Sequence, residues 1–85
     1  MYEYLIGEYV KKISVMDIIN FGIQNDILVS TDDAKIIQHY LVNNYKDLIS
    51  DNPNNILKEI KRKIDPITYD KAYKLFFMYR NKYLK

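Results

Sequence analysis

Asp65-Pro66-Ile67-Thr68-Tyr69-Asp70-Lys71-Ala72-Tyr73-Lys74-Leu75-Phe76-Phe77-Met78-Tyr79-Arg80-Asn81-Lys82-Tyr83-Leu84 is the stretch whose face pattern decides the fold. The residue before a proline avoids the helical region, so Asp65-Pro66 separates this stretch from the helix before it. Thr68 or Asp65 then caps a helix that runs to about Tyr83. Tyr69, Ala72, Leu75, Phe76, Tyr79 and Tyr83 form one broad apolar stripe. Tyr73, Phe77, Arg80 and Leu84 form a second stripe, a quarter-turn away. Lys71, Lys74, Lys82 and Lys85 take the remaining side, with Met78 among them. A helix that is apolar around more than half its circumference is either central in its fold or meets a partner.

Three further helices are predicted upstream. Ser14 caps one from Val15 to Asn25, with Asp17 completing a capping box. Val15, Ile18, Ile19, Gly22 and Ile23 share its inner face. Gln24-Asn25-Asp26 ends it, since Asn and Asp tolerate left-handed backbone. Ile27-Leu28-Val29 is a short extended connection. Ser30 or Thr31 caps the next helix, with Asp32 and Asp33 in its first turn, where the helix dipole favours acids. Ala34, Ile37, Leu41 and Tyr45 make its stripe, and it fades near Asn43-Asn44. Residues 45–55 connect, with Leu48 and Ile49 tucked inward. Pro53 suits the first turn of a third helix that reaches Ile64. Its Ile56, Leu57, Ile60 and Ile64 face inward, and Lys58, Lys61 and Arg62 face outward. In residues 1–13 the alternation of Tyr2, Tyr4 and Ile6 suits a strand, while Leu5, Tyr9 and Ile13 suit a helix. An irregular or extended arm packed through its tyrosines is the expectation there.

The expected fold is therefore all-α. One compact four-helix domain spans residues 1–85, with a short N-terminal arm (1–13) and a helical core (14–85). Ile18, Ile19, Ile37, Leu41, Ile60, Ile64, Leu75 and Phe76 hold it together.

Composition removes several function classes. With 48% apolar and 28% charged residues, the chain is too apolar for intrinsic disorder. No apolar run is long enough to span a membrane. Glu3 and Glu8 stand where a signal peptide would be basic, so a cytoplasmic location is expected. Cysteine is absent, which excludes disulfides, thiolate metal sites and cysteine nucleophiles. Two glycines, Gly7 and Gly22, cannot build a phosphate loop, and no serine sits in a nucleophile motif. Ile (13), Lys (11), Tyr (9) and Asn (8) make up 41 of 85 residues, a bias towards AT-rich codons. Charge is uneven: residues 1–55 sum to −4 and residues 56–85 to +6, giving the net +2. The two parts either attract each other within one fold or present an interaction face.

One pattern resembles a known family. It comprises Ser14-x-x-Asp17-Ile18-Ile19, then Ile27-x-Val29-Ser30-x-x-Asp33-Ala34-x-x-Ile37-x-x-Tyr40-Leu41. Leu57-Lys58-Glu59-Ile60 and Ile67-Thr68-x-x-x-Ala72-x-x-Leu75-Phe76 follow. It is similar to the YqfT-like family, small uncharacterised proteins of low-G+C Gram-positive bacteria. The resemblance implies a small cytoplasmic helical protein and brings no catalytic or binding residue with it.

The chemistry-bearing residues have structural readings. His39 is the single histidine, and Asp32, Asp33 and Glu59 are the nearest acids to nominate beside it for a metal. A surface or half-buried structural histidine is the simpler reading. Asp32 and Asp33 point about 100° apart on a helix, so they do not share a site, and a first-turn position already explains them. No enzymatic activity, metal or cofactor is expected. Lys58, Lys61, Arg62, Lys71 and Lys74 are the nucleic-acid candidates, against the plainer reading of a solvated basic face. Tyr73, Phe77, Arg80 and Leu84 are the protein-interface candidates, because aromatics and Arg are enriched where proteins meet. Their alternative is burial under an N-terminal lid of Tyr2, Tyr4 or Tyr9. The leading expectation is an interaction module that binds a protein partner or a second copy through its last helix. The runner-up is a small nucleic-acid-binding protein.

Overall fold

Ser14 starts the first well-capped helix as its sequence requires. The Asp17 backbone N–H donates to Ser14 Oγ at 3.0 Å, and the Ser14 N–H donates to Asp17 Oδ2 at 2.9 Å. In the computed structural model this is the second of five helices. They are α1 (Tyr2–Lys11), α2 (Val15–Gln24), α3 (Thr31–Leu48), α4 (Asn54–Lys63) and α5 (Pro66–Tyr83). The structure describes the backbone of residues 2–50 and 52–83, and the side chains of residues 7–50, 52–78 and 81. No strand occurs among the described residues.

The all-α class is as expected, but the described residues form five helices, and the expected arm is helix α1. Of the two competing patterns in residues 1–13, the helical one prevails because α1 packs on α3 and buries Val10. Isolated helices this short are marginal in water, so tertiary packing decides the local conformation. The α3 helix also runs further than its sequence suggests. Asn44 leaves helical geometry (φ −131°, ψ 23°), and the helix then resumes to Leu48, which is buried. The expected fading at Asn43-Asn44 is a kink.

Caps fix the remaining ends. The Asp33 N–H donates to Ser30 Oγ at 3.1 Å. Asp65 Oδ2 accepts from the Thr68 N–H at 3.0 Å and from Thr68 Oγ1 at 3.3 Å, capping α5. The Asp65 N–H in turn donates to Asp33 Oδ2 at 3.1 Å, tying the start of α5 to the start of α3. Asp26, after α2, has φ 60°, the left-handed turn that its sequence anticipates.

The core centres on Tyr40, Ile60, Ile64 and Tyr69, with Ile36, Ile37 and Ile56 packed around them. Ile18, Ile60 and Ile64 are buried as expected. Ile37 is half-buried and packs against that cluster, whereas Ile19, Leu41, Leu75 and Phe76 are half-buried outside it, which corrects their assignment to the core. Ile23, expected inward, is 56% exposed. Among the described core side chains only Ala34 is completely covered. The cause lies in α5, whose principal neighbour is α4: Tyr69 at its start joins the core, while Ala72, Leu75 and Phe76 further along the same stripe stay half-buried.

The two glycines respond differently to a methyl group. A Cβ on Gly22 would stand 2.7 Å from the Ile27 carbonyl oxygen and 3.0 Å from Val29 Cγ2. That carbonyl belongs to backbone held by the Ile27 N–H donating to Gly22 O at 2.7 Å, so it cannot retreat. Gly22→Ala should cost about 1–3 kcal/mol despite its helix-propensity gain. A Cβ on Gly7 meets only the outer end of the Tyr45 ring, nearest at the hydroxyl, 2.6 Å away. That ring can swing, so Gly7→Ala should lie within about 1 kcal/mol of neutral. Urea denaturation of both variants checks the contrast, and equal costs would contradict it.

Candidate apolar groove

Beyond Tyr69, α5 leaves a groove of about 430 Å³ beside α2 and α3, open to solvent along one side. Its floor and walls come from every element after α1: Ile18 and Phe21 on α2, Ile37 and Leu41 on α3, Leu57 and Ile60 on α4, and Ala72, Leu75 and Phe76 on α5. Tyr9 and Tyr73 stand at its edge, 70% and 40% exposed. Among the described residues Asp17 is the one charged side chain that lines it. A concave, mostly apolar space of this size is where proteins take up ligands or partner side chains.

The stripe on α5 facing this space is the one the sequence assigns to the core. The second stripe begins beside it. The Tyr73 ring lies 4.7 Å from Phe77 and 5.8 Å from Tyr69, and Phe77 meets Phe76 edge-on at 5.2 Å. Of the four interface candidates, Tyr73 is exposed and Phe77 half-buried within this aromatic row. Arg80 falls within the α5 span, but its side chain and Leu84 lie outside the described residues. The lid proposed for the N-terminus is outside them too at Tyr2 and Tyr4, and Tyr9 lines the groove while staying 70% exposed. Sequence reasoning missed the groove itself. The only available signal was the excess of apolar circumference on α5.

Lys58, Lys61, Arg62, Lys71 and Lys74 are all exposed, on α4 and α5. Two lysines of α4 cover core tyrosines. Lys61 Nζ lies 6.0 Å from the Tyr69 ring centroid and Lys63 Nζ 5.2 Å from that of Tyr40. A hydrogen bond to the Tyr40 hydroxyl, reinforced by its charge interaction, raises the Lys63 ammonium above its ordinary pKa. Lys61 thus has a structural role beside its nucleic-acid candidacy. His39 is exposed, with Asn43 Nδ2 at 3.2 Å from Nδ1 and the Tyr40 ring edge-on at 5.4 Å. Asp33 accepts from the backbone of Asp65, so Asp32 and Asp33 do not converge on a shared task. Among the described residues no three His, Asp or Glu side chains gather to hold a metal ion, and no helix is long and apolar enough to cross a membrane.

Tyr69, at the junction of core and groove, gives a pH-dependent signature. Burial, followed by the Tyr73 hydroxyl and the Asp70 carboxylate, raises its phenol above the usual value. The unfolded chain releases this proton near pH 10 while the folded chain retains it. Above about pH 10 the unfolded state therefore binds fewer protons, and stability falls as pH rises through the folded value. Tyr69→Phe should flatten that decline in melting temperature between about pH 9 and pH 12. Parallel curves for both proteins would contradict it.

The family described as "Protein of unknown function (DUF2624)" matches residues 1–80. No curated protein and no solved structure matches the chain significantly.

Proposed function

The chain belongs to the DUF2624 family, whose function is unknown, and on that premise we propose that it is a non-enzymatic protein-interaction module acting through α5. The observation that supports this most is the apolar groove along α5, with Tyr73 and Phe77 continuing its edge. Half-buried Leu41, Leu75 and Phe76 gain little in the isolated chain compared with burial under a partner. The likeness to YqfT-like proteins of low-G+C Gram-positive bacteria, and a cytoplasmic setting, belong to the same proposal. Affinity capture from the source cell with wild-type and Ala72→Leu baits, read by mass spectrometry, tests it. Proteins retained by the wild type and lost with the filled groove support the reading. Identical sets on both baits overturn it.

A second reading, nucleic-acid binding, is supported by the exposure of Lys58, Lys61, Arg62, Lys71 and Lys74 on two consecutive helices. Titration with generic DNA and RNA should then show affinity falling with salt, with a log–log slope of about −0.9 per phosphate neutralised. No binding at about 50 mM salt ends this reading.

A further inference from the structure

We propose that the groove is a binding site for a small, uncharged, largely apolar molecule that carries a single hydroxyl or carbonyl group. This goes beyond the docking reading, because it needs no partner protein. Depth points this way first. The groove is lined by side chains that are themselves buried in the chain: Ile18, Ile27, Leu57, Ile60 and Ile64 are each at most 8% exposed. A broad protein surface laid over α5 would meet the rim, whereas these floor residues are reached only by something slender enough to enter. The volume of about 430 Å³ lies in the ~300–1,000 Å³ range of small-molecule pockets. It equals roughly 14 water-sized volumes, space for about a dozen carbon-sized atoms.

The chemistry of the wall selects the ligand class. Among the described residues no Lys, Arg or His lines the groove, and Asp17 brings the one charge. A carboxylate or phosphate inside would lose its water, meet no cation and face a like charge. Asp17 is exposed and already accepts from the Ser14 N–H at 2.9 Å. An ion pair at an exposed carboxylate is worth little, so an ammonium gains too little there to offset its own desolvation. The ligand is therefore uncharged. Tyr69 supplies the polar contact. It is 9% exposed and lines the groove, and its hydroxyl has no hydrogen-bond partner among the described residues. Buried polar groups are nearly always hydrogen-bonded. A ligand oxygen that accepts from this hydroxyl completes what the chain leaves open.

Titration of the full chain with decanol, followed by the methyl NMR signals of Ile37, Leu41 and Leu75, tests this. Saturable one-to-one shifts are expected, with a dissociation constant below about 1 mM. Decanoate and decylammonium, with the same chain and a charged head, should each bind at least about tenfold more weakly. Tyr69→Phe should weaken decanol about three- to tenfold, the loss of one neutral hydrogen bond. It should leave butylbenzene, which has no oxygen, unchanged, and that contrast separates the hydroxyl from a merely structural role. Ala72→Leu should weaken both probes at least about tenfold with the helical circular dichroism unchanged. Should Ala72→Leu impair folding, the Tyr69→Phe contrast, which keeps the ring, is read in its place. No saturable shift of these methyls up to the solubility limit of decanol overturns the proposal. Charged heads that bind as tightly as decanol overturn it too, as does a Tyr69→Phe protein that treats decanol and butylbenzene alike. The docking reading is judged separately, by the captured proteins, and its outcome depends on none of these probes.

Discussion

Replacing Tyr40 with Ala is expected to remove about 3–5 kcal/mol of stability, most of what a domain of this size has. Tyr40 is 6% exposed and lies in the central cluster with Ile60, Ile64 and Tyr69. Its ring lies where three elements meet: α3 carries it, α4 supplies Ile60 and the Lys63 ammonium above it, and α5 supplies Tyr69. Truncation leaves a void that five short helices cannot close without losing their mutual register. Tyr40→Phe keeps the ring and loses only the hydroxyl beside the exposed Lys63, so it should cost under about 1.5 kcal/mol. Chemical denaturation of the three proteins reads both values. A loss below about 1 kcal/mol for Tyr40→Ala would mean that the core lies elsewhere.

Ala72→Leu is expected to act in opposite directions on stability and on association. In a closed core the extra carbons would cost about 1–3 kcal/mol through strain. Ala72 instead lines an open groove of about 430 Å³. A leucine there can lie against Ile37 or Leu41 and leave stability unchanged or raised by up to about 1 kcal/mol. The same side chain occupies space that a partner would fill, so association through the groove should weaken by at least about tenfold. Thermal melting and a binding isotherm on one preparation give both readings. A variant that is destabilised by about 2 kcal/mol or more would show that no open space exists beside α5.

What could be read from the chain was local. Ser14 with Asp17, Ser30 with Asp33, and Asp65 with Thr68 are pairs three residues apart, and all are hydrogen-bonded caps. The left-handed turn after α2 is local as well, at Asp26. Features set by distant partners escaped. Residues 2–11 carry both a period of two and a period of four, and only packing on α3 selects the helix. Tyr40 falls outside the expected core because the stripe on α3 runs through Ala34, Ile37, Leu41 and Tyr45, whereas the buried cluster takes Tyr40 with Ile36 packed against it. The candidate site follows the same division. The apolar excess on α5 is legible at helical spacing. The groove depends on the angle at which α5 leaves the Asp65-Pro66 turn, which no periodicity encodes.

The most direct measurement is methyl NMR of the dilute chain with a soluble nitroxide. The groove methyls of Ile37, Leu41 and Leu75 should broaden strongly while the core methyls of Ala34 and Val10 stay sharp. Groove methyls as well shielded as Ala34 in the lone chain would contradict the account, because α5 would then already be closed against α2 and α3 with no surface left to offer.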